Sequence, residues 1–77
     1  MGLPPESIEL GKCYLTNTGR VWRIINLLPD GRILYEHRPG QVPHMKRWQA
    51  GIIEGHLAAE VLIEREVACD WKPEREG

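Results

Sequence analysis

Gly19-Arg20-Val21-Trp22-Arg23-Ile24-Ile25-Asn26-Leu27-Leu28-Pro29-Asp30-Gly31-Arg32-Ile33-Leu34-Tyr35-Glu36-His37-Arg38 is the stretch on which the fold turns. Two apolar, β-branched-rich runs flank a Pro-Asp-Gly turn. Proline presets φ to about −65° at the second turn position, aspartate bonds its own backbone, and glycine takes the left-handed conformation that closes the loop. A three-residue loop of this kind is usually a type I turn followed by a glycine bulge. It predicts antiparallel strands over residues 20–28 and 32–38, with Leu28 opposite Arg32. Counting back places Leu27 opposite Ile33, Ile25 opposite Tyr35 and Trp22 opposite Arg38. Alternation then gives one face Val21, Ile25, Leu27, Ile33 and Tyr35. This is the expected core. The other face carries Trp22, Ile24 and Leu34 beside Glu36 and Arg38 and is expected to be half covered. A two-residue Asp-Gly loop would slip the register by one and exchange the faces. Large apolar residues on both faces suit a small barrel better than an open hairpin.

Working outward, Gly11 to Thr16 alternates and reads as a first strand. Asn17-Thr18-Gly19 is a turn, so the first three strands form a meander. Residues 1–9 hold Pro4-Pro5 and read as a loose arm, with Leu10 the first anchor. Arg38-Pro39-Gly40-Gln41-Val42-Pro43 breaks the sheet, because two prolines exclude a central strand there. Residues 44–50 suit either a helical turn or a short strand, and Gly51 interrupts. Ile52, Ile53, His56, Leu57 and Glu60 stand at helical spacing, which predicts a short helix over 52–59. Val61 to Val67 alternates as a last strand, with Val61, Ile63, Arg65 and Val67 on one face. Trp71 is expected to cap the core, and Glu74 onward is a polar tail.

The chain has 77 residues, with 42% hydrophobic and 27% charged side chains, eight glycines and six prolines. This is a single domain, 1–77, with an ordered core of about 10–72. So short a chain buries only about 60% of its unfolded surface. No apolar run approaches the ~20 residues of a membrane span. The N-terminal residues lack the basic-then-apolar pattern of a secretory signal, which predicts a cytoplasmic protein. On that basis Cys13 and Cys69 are expected as free thiols.

Gly11-x-x-Tyr14, Gly19-x-Val21-Trp22-Arg23-Ile24, Asp30-Gly31-Arg32-x-x-Tyr35-Glu36 and Arg65-Glu66-Val67-x-x-Asp70-Trp71 resemble a group of small bacterial proteins of unknown function with an SH3-like barrel pattern. The resemblance covers about residues 10–72 and implies a mainly β, partly open SH3-like barrel: a three-stranded meander, one short helix and a C-terminal strand. Its motifs are turn glycines and core aromatics. They mark a fold rather than a reaction and bring no site residues with them.

The residue patterns point away from catalysis. His37, His44, His56, Cys13 and Cys69 show no spacing that local structure would hold at zinc geometry; surface histidines and buried thiols account for them. Cys69 lies among Glu66 and Asp70, which oppose a thiolate. No phosphate loop or nucleophile elbow is present. Charge is uneven. Residues 12–47 carry seven basic side chains against two acids, and residues 48–77 carry seven acids against three bases. Either two halves of one fold attract each other, or one face binds a partner. The candidate binding residues are Trp22, Arg23, Arg38, Lys46, Arg47 and Trp48, a cluster of indole and cation types suited to binding hot spots. They predict a non-enzymatic binding module for a peptide or protein, with no cofactor and no metal. Single-stranded DNA or RNA on the same surface is the alternative, although the isoelectric point near 6.3 is low for it. A self-associating structural subunit, such as a homodimer, is the third reading.

Overall fold

The computed structural model describes residues 7–73. Five antiparallel strands form one open sheet: β1 (Cys13–Thr16), β2 (Arg20–Leu27), β3 (Arg32–Pro39), β4 (Gln49–Glu54) and β5 (Ile63–Val67). The spatial order is β4-β3-β2-β1-β5. A short helix, α1 (Gly55–Leu57), continues into a π-helical turn over Ala58–Leu62 and carries the chain from β4 across to β5. The mainly β class with one short helix is therefore as the sequence predicts. The meander has four strands rather than three.

The Pro-Asp-Gly turn forms as expected. Leu28 N–H donates to Arg32 O, Gly31 N–H donates to Leu28 O, and Gly31 has φ 91°. Leu27 pairs with Ile33 and Asn26 with Leu34. The register then shifts, because Ile25 is an extra residue in β2: Ile24 pairs with Tyr35, Trp22 with His37 and Val21 with Arg38. A β-bulge exchanges the faces of every residue beyond it. The expected pairing of Trp22 with Arg38 is thereby overturned. Trp22 is 7% exposed and lies in the core, while Arg38 is fully buried on the opposite face. Ile25 and Leu27, expected inside, are exposed.

The core lies between the sheet and the helical crossover. Tyr14, Trp22, Ile24, Ile33 and Ile63 pack against Ala58, Ala59 and Ile8. Trp22 stacks on Tyr35 with ring centroids 3.9 Å apart and planes 12° apart. Gly51 completes this row on β4, opposite Tyr35. A Cβ there would lie 2.7 Å from the Tyr35 ring. Glycine in β4 thus makes room for a cross-strand aromatic, and it does not interrupt the element. Ile52 and Ile53 are accordingly strand residues, and the helix begins later, at Gly55. The N-terminal anchor is buried Ile8, not exposed Leu10. The Tyr14 hydroxyl holds the segment in place: it accepts from Glu9 N–H at 2.9 Å and donates to Ser7 O at 3.0 Å. Residues 1–6 and the expected tail from Glu74 lie outside the described residues.

The opposite face of the sheet is half covered by the segment after β5. Cys13 and Cys69 form a disulfide with Cα atoms 5.1 Å apart, so the free-thiol expectation fails. Topology is the reason. β5 folds back antiparallel to β1 with Val67 opposite Cys13, so the next two residues bring Cys69 within reach. Within β5, Arg65 opposes Leu15 while Ile63 opposes Thr16. The irregularity at Glu64 turns Ile63 into the core and leaves Arg65 and Val67 on the tail-covered face, so they do not share one side. Trp71 covers this second face beside Gly40 rather than the main core.

Candidate functional site

The tail-covered face is organised by Arg38. Its Nη1 donates to the carbonyl oxygens of Pro39, Gly40 and Val42, and its Nη2 donates to those of Cys69 and Trp71, both at 2.8 Å. Its Nε is buried without a partner. Burial pushes the guanidinium pKa down, and the charge of Asp70 partly offsets this. One cation thus ties the loop after β3 to the segment after β5. A buried guanidinium with five carbonyl contacts has a structural role and no free donor fork for a ligand.

Four of the six candidate residues remain on accessible surface. Arg23, on β2, donates from Nε and Nη2 to Glu36 Oε1 on β3, at 3.2 and 2.7 Å. Its guanidinium carbon lies 4.3 Å from the centre of the Trp48 ring. Arg38 approaches the same ring at 5.2 Å. Half-buried Trp48 is therefore held against the sheet by two cations. Lys46 and Arg47 are exposed on the loop leading into it. Among the described residues neither has a carboxylate within ion-pair distance. Trp22 and Arg38 do not join this surface, since Trp22 faces the core and Arg38 is enclosed.

The structure adds two residues that sequence reading missed. Leu34 on β3 pairs with Ile52 on β4 on this same face, and Ile52 is 54% exposed. Beyond Trp48 the face continues through Ala50 to Ile52, spaced by two. That alternation is visible in the sequence once residues 48–54 are read as extended. The glycine at 51 conceals it. The resulting surface sets Leu34, Ala50 and Ile52 beside the Arg23–Glu36 pair, with Lys46 and Arg47 on the loop that leads into β4.

At the hairpin end of the other face lies an open groove of about 490 Å³ between Ile8, Leu27, Ile33 and the start of α1 at Gly55 and His56. It is mostly apolar, with Arg32 and His56 as its charged or titratable members. Among the described residues no three His, Cys, Asp or Glu side chains gather as metal ligands. His37 accepts a hydrogen bond at Nδ1 from Arg20 Nε at 2.9 Å. Burial, and then the Arg20 charge, push its pKa below the ordinary value. The expected attraction between the two oppositely charged halves is represented by Lys12 with Glu66, an exposed pair at 3.3 Å. No described helix is long and apolar enough to cross a membrane. Comparison with protein-family models, with curated proteins and with solved structures finds no match.

Proposed function

We propose that the protein is a non-enzymatic binding module of the partly open, SH3-like barrel type. It recognises an extended protein segment through the surface of Trp48, Leu34 and Ile52, with Lys46 and Arg47 receiving acidic side chains of the partner. The observation that carries this reading is Trp48. Its ring is held by Arg23 and Arg38, while Lys46 and Arg47, which precede it in the chain, and Ile52 on β4 are exposed. A rigid indole near cations that have no carboxylate partner among the described residues suits a partner that is apolar and acidic in turn. The disulfide favours an oxidising compartment over the cytoplasm.

The test is titration of Trp fluorescence with a peptide library and with short single-stranded DNA and RNA, across salt. A peptide held mainly by apolar contacts loses little affinity with salt, and Trp48→Ala weakens it more than Arg47→Ala. A loss of roughly 10-fold or more between 50 and 200 mM salt, with nucleic acid bound, would replace this reading by the nucleic-acid one.

A further inference from the structure

The two edges of the sheet are built differently. The β5 edge carries Glu64, Arg65 and Glu66 in sequence, all exposed, and is irregular at Glu64. Charges and bulges are the usual guards of an edge strand. The β4 edge, Gln49-Ala50-Gly51-Ile52-Ile53-Glu54, has no proline, no bulge and no charge before its last residue.

Hydrogen-bond parity fixes which groups this edge presents. Gly55 N–H donates to Gly31 O at 2.9 Å, and Arg32 faces Glu54. Antiparallel pairs alternate between bonded and non-bonded positions. Ile53, Gly51 and Gln49 therefore turn their N–H and C=O groups toward β3. Ala50, Ile52 and Glu54 turn theirs outward, away from the sheet.

We infer that this edge pairs with the β4 edge of a second copy of the chain, antiparallel about a twofold axis at Ile52. The sequence is self-complementary in that register. Ile52 meets its own copy, and Ala50 faces Glu54 of the other chain in both halves. The outward groups of these three residues then all find partners. No like charges are opposed. Glu54, the one charged residue within the strand, faces neutral Ala50 at both ends. Ile52, a large apolar side chain left 54% exposed, packs beside its own copy across the axis. A closed twofold contact also stops at two copies, where a head-to-tail edge would propagate.

The experiment is sedimentation equilibrium over a wide concentration range, joined to amide hydrogen exchange of the wild-type chain. A dimer is expected whose formation slows exchange at Ile52 N–H. Ile52→Pro removes only an outward donor, and Ile52→Lys guards the edge; both are expected to be monomers with unchanged circular dichroism. Leu57→Lys, at an exposed site on α1, is expected to remain dimeric. A wild-type chain that stays monomeric up to roughly 1 mM overturns the inference. So does a dimer whose Ile52 exchange is unaltered, or one that persists in both Ile52 variants. The exchange measurement decides the matter even if either variant fails to fold.

Discussion

Arg38 Nη2 stands 2.8 Å from the carbonyl oxygen of Cys69, whose sulfur is bonded to Cys13. A buried cation and a covalent bridge thus secure the same segment against the sheet. Replacement of Arg38 by Met would strand five carbonyl contacts. Hydrogen bonds to a charged donor contribute about 1.5–3 kcal/mol each, and they are not additive. Arg38→Met is expected to lower unfolding free energy by roughly 3 kcal/mol or more, and Arg38→Lys by less, as read by urea denaturation.

The disulfide joins residues 56 apart in sequence. Closing a loop of that length restricts the unfolded chain by about 4 kcal/mol in the chain-entropy account. Cys13→Ser with Cys69→Ser is expected to lose an amount of that order. Because the bridge and Arg38 hold one segment, the triple variant should lose less than the separate effects together. A double-mutant cycle measures the coupling.

His37 predicts a pH dependence. Its folded pKa is lowered from 6.5, so the unfolded chain takes up the proton first. Its contribution is fully present above about pH 6.5, falls as pH drops toward the folded value, and is flat below it. Protonation also removes the acceptor that Arg20 Nε uses. Thermal melts of wild type and His37→Gln between pH 8 and 5 should diverge in that window, with the wild type showing the steeper loss.

Gly51→Val places side-chain atoms where the Tyr35 ring lies. The ring must leave its stack on Trp22, and overpacking of this kind costs about 1–3 kcal/mol. The near-ultraviolet circular dichroism of the Trp22–Tyr35 pair should change along with stability.

The hairpin and its turn are legible in the sequence because Pro29, Asp30 and Gly31 act locally, and the final strand because its run is rich in β-branched residues. The bulge at Ile25 is not. Both faces of β2 are apolar, so periodicity allows either register, and only packing against Tyr14 and Ala58 selects one. Gly51 reads as a breaker until Tyr35 is seen to fill the space above it. The bridge between Cys13 and Cys69 depends on β5 returning beside β1, a long-range pairing with no local signal. Lys46, Arg47 and Trp48 could be singled out by type alone. Trp22 and Arg38 could be excluded only once the faces were known.

The bridge also sets how the molecule responds to a pull. Tension applied along the chain from before Cys13 to after Cys69 crosses directly from one sulfur to the other. The five strands and the crossover helix all lie between the two cysteines, so they hang from that link as a slack loop and carry no load. While the bond is intact, stretching can straighten only the flanking residues, and the surface around Trp48 keeps its shape under force. Once the bond is reduced, the load falls on the β1–β5 ladder, and the whole sheet becomes extensible.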